Sequence, residues 1–330
     1  MLKTTLARIA HPVERILDRV FLRQAPTNVV IDPYLGYATE DEILLRGRVL
    51  TSLRRTTPSP QASWWVNLRQ MAGLFLTREV AERTVCCGDH SAVTDDEGYF
   101  TLHVPRGDAR PGWFSADVSV DGGDPVTLEA LVASSAAPFM VISDIDDTVL
   151  HTGAYSLLRN LWTSLTGNAL TREIFPDAVA LMKGFEALDA PIYFVSSSPW
   201  NLHYFLLRIF DRHDLPKGPM FLRDLGISKT QFISGTHGDH KGAAIDALLA
   251  ANPALPAVLV GDTGQHDPKV YLAATERHPG RIARVILREP GKGADRRDLA
   301  RIAQMETLGV RVDHGPDYTD VSPELVRLAS

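Results

Sequence analysis

Four short apolar runs in the second half of the chain constrain its fold more strongly than any other feature. They cover residues 139–142, 192–195, 257–260 and 282–287, and helix-forming segments separate them. Short apolar runs without polar alternation are typical of strands that a parallel sheet buries on both faces. We therefore predict an α/β domain over residues 136–330. Three of the runs end directly in polar residues, and open α/β sheets bind ligands beyond the carboxyl ends of their strands.

The segment before that domain has a different period. Residues 42–50, 98–104 and 113–120 are short β-type runs, and turn-forming Asp and Gly residues flank them as in hairpins. A chain of 330 residues also exceeds the length at which a single hydrophobic core usually stops growing, so two domains are expected. We predict a small antiparallel β-sandwich over residues 29–135, interrupted by an inserted helix at 64–80.

The N-terminal segment, residues 1–28, is predicted to contain an amphipathic helix that begins at Pro12 and ends near Arg23. Its apolar residues fall at helical spacing and form one stripe. The stripe consists of Val13, Ile16, Leu17, Val20 and Phe21. We favour packing of this stripe on the chain's own domain or on a second copy. Contact with a membrane surface is the alternative, although the mixed charges of the helix are weaker than the basic face expected of interfacial helices. The sequence leaves the oligomeric state open.

Composition and cysteine content limit the classes of partner and compartment. The net charge is −6 and basic residues are spread along the chain, which gives no case for nucleic acid as a partner. Cys86 and Cys87 are neighbours and cannot build a disulfide framework, which favours a reducing cytoplasm. The sequence has neither the features of a secretion signal nor an apolar run long enough to span a bilayer. We expect a cytoplasmic protein that is soluble or peripherally bound to a membrane.

The first apolar run of the α/β domain leads into two closely spaced carboxylates, Asp144 and Asp146. If the chain stays extended, both side chains lie on the same side of it. Close carboxylates need a shared proton or a cation, and Mg²⁺ is a hard ion that prefers oxygen ligands. A helix–loop–helix calcium site would need Gly and Glu where this chain has Val149 and Tyr155. A magnesium site is therefore predicted, with a solvated acidic turn as the structural alternative.

Further polar residues are predicted at the same edge of the sheet. Ser196 begins a run of three serines before a predicted helix, which suits an anion but is also ordinary helix-cap chemistry. Asp262 and Asp267 follow the third run and can close with the first acidic pair around one metal ion. Lys241 is placed at the start of a helix over residues 241–250, where the helix dipole disfavours a cation unless an anion lies nearby. Considered in isolation, Lys241 would be a solvated surface lysine.

The order of these motifs resembles the haloacid dehalogenase superfamily: a strand ending in Asp-x-Asp-x-Thr, a strand ending in Ser, a Lys, and a strand followed by Gly-Asp-x-x-x-x-Asp. Within it, residues 143–149, 193–200, 240–241 and 260–267 resemble the actin-patch phosphatidate phosphatase family and its bacterial relatives. The resemblance spans about residues 138–288. It implies a Rossmann-like sheet and a phosphate monoester substrate, phosphatidate in particular. The β domain before the catalytic domain also resembles what family members carry.

The same resemblance implies roles for individual residues. Asp144 would be the nucleophile that accepts the phosphoryl group, and Asp146 would protonate the leaving oxygen and later activate water. Ser196 and Lys241 would hold the phosphoryl oxygens. Mg²⁺ would be bound by Asp144, the main-chain carbonyl of Asp146, and Asp262. Substrate contacts are expected from Thr148, Ser197 and His151.

Several residues near these motifs keep more than one interpretation. Asp267 would bind the metal through water or orient Lys241. A transition-metal site is the alternative to magnesium, because three histidines lie near the motifs, but a carboxylate-rich site with a phosphate substrate favours Mg²⁺. These histidines are His237, His240 and His266. His151 could equally be a surface residue.

The residues and the resemblance together predict a Mg²⁺-dependent phosphatase. The resemblance implies that it converts phosphatidate to diacylglycerol through an aspartyl-phosphate. Only a short helical insert, residues 150–190, is expected after the nucleophile, so a membrane-borne substrate could reach the site. A soluble phosphomonoester or a phosphoprotein fits the same catalytic residues, and a phosphotransferase would use the same intermediate. A non-catalytic scaffold that binds membranes or partners is disfavoured because Asp144 and Asp146 are both present.

Overall fold

A computed structural model describes residues 29–51, 80–151, 174–223, 237–291 and 293–323. The predicted N-terminal helix lies outside these residues, as does the inserted helix at 64–80 apart from Val80. Two β-sheets organise the described chain, and the chain passes from the first sheet to the second after residue 132.

The first sheet has seven strands. They are β1 (Val30–Ala38), β2 (Glu42–Leu50), β3 (Thr84–Cys87), β4 (His90–Val93), β5 (Tyr99–Pro105), β6 (Gly112–Val120) and β7 (Val126–Val132). Their spatial order is β4-β3-β6-β7-β1-β2-β5. The strands at the two ends of this order, β4 and β5, contact each other, so the sheet curls around one core. Residues that alternate along the strands fill that core, including Ile43, Leu45, Phe100, Leu102 and Val118.

The pairing in this sheet departs from the purely antiparallel arrangement expected from the sequence. Every neighbouring pair is antiparallel except β1 and β7, which run parallel with Gly36 opposite Ala130 and Tyr37 opposite Leu131. Hairpin signals report only on strands that follow each other closely in sequence. The pairing of β1 with β7 joins segments that are distant in sequence, so no local sequence pattern predicts it.

The second sheet is parallel throughout and confirms the predicted α/β class. Its six strands are β8 (Met140–Ser143), β9 (Ile192–Pro199), β10 (Met220–Arg223), β11 (Ala257–Asp262), β12 (Ile282–Arg288) and β13 (Arg311–Gly315). Their order is β10-β9-β8-β11-β12-β13. The chain moves outward from β8 on one side and then returns to β11 on the other side. This reversal beside β8 is the position at which open α/β sheets form a ligand crevice.

Five helices of the described chain accompany this sheet. They are α1 (Pro176–Glu186), α2 (His203–Arg212), α3 (His237–Ala251), α4 (Asp267–Arg277) and α5 (Arg296–Thr307). Successive residues of β8 belong to opposite apolar cores: Val141 packs in one, and Met140 and Ile142 pack in the other. Burial on both faces explains why the strand sequences are continuously apolar. Helix α3 begins at His237, so the predicted start at Lys241 was too late.

None of the helices in the described part of the chain combines the length and the apolar character needed to cross a membrane. Cys86 and Cys87 are both free thiols on β3, in agreement with the expectation that they form no disulfide.

Candidate active site

The candidate site lies at the carboxyl ends of β8, β9 and β11, beside the first turns of α3 and α4. These strands are neighbours in the sheet, so residues from distant segments converge at one edge. The structure brings together Asp144, Asp146, Thr148, Ser196, Lys241, Asp262 and Asp267, and it buries all of them.

The candidate nucleophile Asp144 directly follows strand β8, and its main-chain N–H donates to the Val260 carbonyl at 2.8 Å. A turn over residues 147–149 follows Asp144 and Asp146. Asp147 has φ = 55°, a left-handed conformation that Asp tolerates better than most residues. The turn lets the Thr148 hydroxyl donate back to Oδ2 of Asp144 at 3.3 Å. A tight turn after Asp146 therefore returns Thr148 to the carboxylate of Asp144.

Lys241 lies between two carboxylates. Its Nζ is 2.9 Å from Oδ1 of Asp144 and 2.5 Å from Oδ1 of Asp267. Burial by itself disfavours the ammonium group, but the two carboxylates outweigh it and raise the pKa of Lys241. The residue is therefore a permanently charged cation inside the site. The interpretation of Lys241 as a solvated surface residue is wrong, because only 4% of it is exposed.

Asp262 and Asp267 are held by a compact set of contacts. Oδ2 of Asp267 accepts the main-chain N–H of Asp262 at 3.1 Å, so both oxygens of Asp267 have protein partners. Oδ1 of Asp262 accepts the N–H of Gln265 at 2.9 Å. A Cβ atom on Gly261 would lie 2.5 Å from Oδ2 of Asp267, so only glycine permits this close approach. The geometry favours Asp267 as the residue that orients Lys241.

Asp146 is held by two serine hydroxyls from strand β9. Ser196 donates to Oδ2 of Asp146 at 2.8 Å and Ser198 donates to the same atom at 2.9 Å. Burial raises the pKa of Asp146, although the two hydroxyl hydrogen bonds lower it in part. A raised pKa suits a group that must give and take a proton. The sequence analysis did not identify Ser198 as a site residue, although the run of three serines at 196–198 could have indicated it.

The remaining residues predicted for the site lie at the edge of this group of buried side chains or outside it. Ser197 is half-buried between the two serines that contact Asp146. His151 is exposed and its ring meets Phe175 edge-on at 5.3 Å. The buried His240 ring is 3.3 Å from the Phe221 carbonyl, whereas His266 is exposed. The side chain of His237 lies outside the described residues.

The acidic residues fit a hard metal cation. In the described part of the chain, Asp144, Asp262 and Asp267 each offer a carboxylate oxygen within 4.8 Å of the others. Oδ2 of Asp262 and Oδ1 of Asp146 are buried and receive no hydrogen bond from the described residues. Burial and the neighbouring Asp267 and Asp144 raise the pKa of Asp262 to about 9. A cation would remove the cost of ionising these groups, and oxygen donors suit a hard ion.

A second network, centred on Arg288, contacts the loop that follows the candidate nucleophile Asp144. Nothing in the sequence indicated it. Arg288 ends strand β12 and pairs with Asp177 in the first turn of α1 at 2.5 Å. Its guanidinium lies between the rings of Phe175 and Tyr318, 3.9 and 4.3 Å from their centroids. It also donates to the Thr148 carbonyl at 3.4 Å. An arginine in a strand sequence gives no indication of such distant partners.

Comparison with known proteins finds one matching family model. Residues 139–289 match the family model described as "Phosphatidate phosphatase APP1, catalytic domain". This chain resembles the APP1 phosphatidate phosphatase family in its catalytic domain. The resemblance drawn from the sequence motifs is thereby confirmed, and the APP1 match supports the prediction that the chain is a phosphatase.

Two fungal relatives match part of this chain. Phosphatidate phosphatase APP1 of Saccharomyces cerevisiae is 27% identical over 176 residues, which are 52% of this chain and 30% of the yeast protein. An uncharacterized protein of Schizosaccharomyces pombe is 25% identical over 210 residues, which are 61% of this chain and 34% of that protein. The chain thus spans about a third of the length of each of these two relatives.

A solved structure of a probable phosphoserine phosphatase from Vibrio cholerae covers 83% of this chain and 91% of its own chain. The sequence identity is 11% and the TM-score is 0.28. A score at this level does not establish a shared fold, so the fold rests on the strand order given above.

Proposed function

We propose that the chain is a metal-dependent phosphomonoesterase in which Asp144 carries the phosphoryl group. The observation that carries this proposal is the placement of Lys241 between Asp144 and Asp267, beside buried oxygens of Asp146 and Asp262 that lack hydrogen bonds from the described residues. An anionic phosphoryl group needs a fixed positive charge next to its nucleophile, and this arrangement provides one.

The proposed reaction has two steps. In the first, a carboxylate oxygen of Asp144 forms a bond to phosphorus, the bond to the ester oxygen breaks, and Asp146 gives its proton to the leaving alkoxide. In the second, water attacks the phosphorus of the aspartyl-phosphate, and Asp146 takes a proton from that water. Inorganic phosphate leaves and Asp144 is restored. The serine hydroxyls that hold Oδ2 of Asp146 keep this acid and base oriented.

We assign Mg²⁺ as the metal, with Asp144, Asp262 and the Asp146 main-chain carbonyl as its ligands. A bound cation would lower the electrostatic cost of bringing two anions together. The donor set consists of oxygen atoms, which favours a hard ion over zinc. Asp267 contacts Lys241 through one oxygen and the Asp262 N–H through the other, and we assign it the role of orienting Lys241.

Phosphatidate is the proposed substrate and diacylglycerol the product, which would place the chain in lipid metabolism. The support is the match to the catalytic domain of phosphatidate phosphatase APP1. A substrate of this kind keeps its acyl chains in the membrane, so the protein would act as a peripheral protein at a cytoplasmic membrane surface. The oligomeric state is not part of the proposal.

A phosphate-release assay tests both the reaction and the substrate. Purified protein is stripped with a chelator and then offered phosphatidate vesicles or a panel of soluble phosphomonoesters, with Mg²⁺, Ca²⁺ or Zn²⁺ added back. We expect no release after chelation, recovery with Mg²⁺, and faster release from vesicles than from soluble esters. Recovery with Zn²⁺ alone would favour the histidine-based metal site. Transfer of phosphate without release of inorganic phosphate would indicate a phosphotransferase, and release from soluble esters alone would exclude phosphatidate.

A further inference from the structure

The first sheet contacts the catalytic sheet at the strand end that carries the two serines holding Asp146. Tyr34 on β1 is buried in the apolar core that otherwise belongs to the second sheet. Its ring stacks on Trp200 with centroids 4.5 Å apart and an angle of 16° between the planes. Trp200 directly follows Pro199, the last residue of β9. A side chain of the first sheet therefore abuts the segment that presents Ser196 and Ser198.

Arg46 on the neighbouring strand β2 makes a second contact across the same boundary. Its guanidinium carbon is 5.0 Å from the centroid of the Trp200 ring and 4.8 Å from that of Phe221. Its Nη1 donates to the Met220 carbonyl at 3.3 Å. Arg46 thus links β9 to β10 from outside the catalytic sheet. A planar guanidinium can contact two rings and donate to a carbonyl at once, which an ammonium group cannot do.

The two rings that Arg46 contacts, Trp200 and Phe221, each lie next to residues of the candidate site. On one side, Trp200 adjoins the serines whose hydroxyls hold Oδ2 of Asp146. On the other side, the Phe221 carbonyl contacts the ring of His240, whose next residue in α3 is Lys241. The contacts of Arg46, a residue of the first sheet, thus extend to the end of β9 and to helix α3, which carry the site's serines and Lys241.

We propose that Arg46 is a positioning residue that fixes the strand end carrying Ser196 and Ser198 relative to Lys241. This inference rests on the proposed function. The first sheet is then part of the catalytic apparatus and is more than an appended domain. Contacts of this kind contribute little to stability beside the apolar cores of both sheets. A displacement of the serine hydroxyls by a fraction of an ångström is sufficient to slow the reaction strongly.

The test compares Arg46→Met with Arg106→Met. Arg106 is a matched control because it is also half-buried, directly follows β5 of the first sheet, and donates to the carbonyl of Thr39, which directly follows β1. With a soluble aryl phosphate and Mg²⁺, we expect kcat/KM of Arg46→Met to fall about tenfold or more. The inhibition constant of inorganic phosphate should rise several-fold. Arg106→Met should keep wild-type values for both.

The inhibition constant separates positioning from loss of folded protein. A smaller folded fraction lowers the apparent kcat but leaves KM and the inhibition constant of phosphate unchanged. Arg46→Lys keeps the charge without the planar group and should be impaired like Arg46→Met. As a second route, Tyr34→Leu should be impaired, whereas Tyr34→Phe keeps the stacked ring and should be active.

Wild-type values of kcat/KM and phosphate inhibition in Arg46→Met would overturn the positioning role, as would full activity of Arg46→Lys. Equal impairment in Arg106→Met would also overturn it, because the effect would then belong to the sheet in general. A wild-type protein that releases no phosphate from any ester would overturn the proposed function, and this inference with it. An active wild type with an unimpaired Arg46→Met would overturn the inference alone.

Discussion

At the scale of single residues, the site has more buried carboxylates than cations. Asp144, Asp146, Asp262 and Asp267 are all buried, and Lys241 is the cation that contacts two of them. Burial, aided by the neighbouring carboxylates, raises the pKa of Asp144 well above its ordinary value, even though Lys241 lowers it in part. Such a cluster is costly to maintain in a folded chain. It is the kind of arrangement found where charge has to be handled in a reaction.

Replacement of Asp144 by Asn tests its role as nucleophile. Asn has nearly the same shape but its amide cannot form the phosphoryl bond, so we expect Asp144→Asn to abolish phosphate release. Lys241 keeps its contact with Asp267, and one buried carboxylate is removed, so the melting temperature should be unchanged or higher. Phosphate release and thermal unfolding are measured on the same preparation. A folded variant with near wild-type turnover would exclude Asp144 as the nucleophile.

Gly261 is predicted to tolerate no side chain. A Cβ atom there would lie 2.5 Å from Oδ2 of Asp267 and 2.7 Å from the hydroxyl of Tyr271. Relief of this overlap must displace Asp267, so Gly261→Ala should cost about 1–3 kcal/mol of stability and most of the activity. Gly242→Ala is the control, because its Cβ would meet only the flexible end of Arg277 at 3.4 Å and helices favour Ala over Gly. Equal behaviour of the two variants would contradict the close-packing argument.

At the scale of elements, the buried Arg288 joins three parts of the catalytic domain. It connects the end of β12, the first turn of α1 through Asp177, and the nucleophile loop through the Thr148 carbonyl. Asp177 also accepts the main-chain N–H of Tyr318 at 2.7 Å. The nucleophile loop is thus supported by elements that are distant in sequence, which keeps Asp144 in place without a direct contact to it.

Removal of Asp177 is predicted to be strongly destabilising. Asp177→Ala leaves Arg288 buried without its carboxylate, which should lower the free energy of unfolding by about 3–5 kcal/mol. The matched control is Glu129→Ala, since Glu129 pairs with Lys217 on an exposed surface, where such a pair contributes about 0–1 kcal/mol. Urea unfolding of both variants measures the difference. A similar small effect in both would mean that the buried pair does not hold the elements together.

At the scale of the whole molecule, metal binding and proton binding are expected to compete. Without a cation, burial and the neighbouring Asp267 and Asp144 raise the pKa of Asp262 from 3.8 to about 9. Between these two values the folded protein keeps a proton that the unfolded chain has released. Stability therefore falls as pH rises through this window and levels off above the folded pKa. A bound cation replaces the proton and removes the penalty.

This linkage predicts a pH-dependent effect of Mg²⁺ on stability. The melting temperature of the chelated protein should fall progressively between about pH 4 and pH 9, and saturating Mg²⁺ should stabilise the protein more at pH 8 than at pH 5. Asp262→Asn cannot titrate, so the decline of the chelated variant should be shallower and its response to Mg²⁺ weaker. A stabilisation by Mg²⁺ that does not change with pH, or an unaltered slope in Asp262→Asn, would refute the linkage.

The sequence alone determined the parallel sheet and most of the polar residues at its edge. Strands β8, β9, β11 and β12 are visible locally because burial on both faces requires an unbroken apolar run. Strands β10 and β13 were missed. β10 has only three consecutive apolar residues before Arg223, and β13 is a partly exposed edge strand with charged residues, so neither contains an apolar run as long as those of the predicted strands. The convergence of Asp144 and Asp262 follows from strand order once the strands are known.

Only the tertiary structure decided the partners of individual polar side chains and the contact between the two sheets. The hydroxyl of Ser198 on Asp146, Asp267 on Lys241, Arg288 on Asp177 and Arg46 on Trp200 all join distant segments. Periodicity in a sequence reports whether a residue is buried, because burial depends on the face of its own helix or strand. The partner of a buried polar group depends on which remote elements pack around it, and no local pattern encodes that choice.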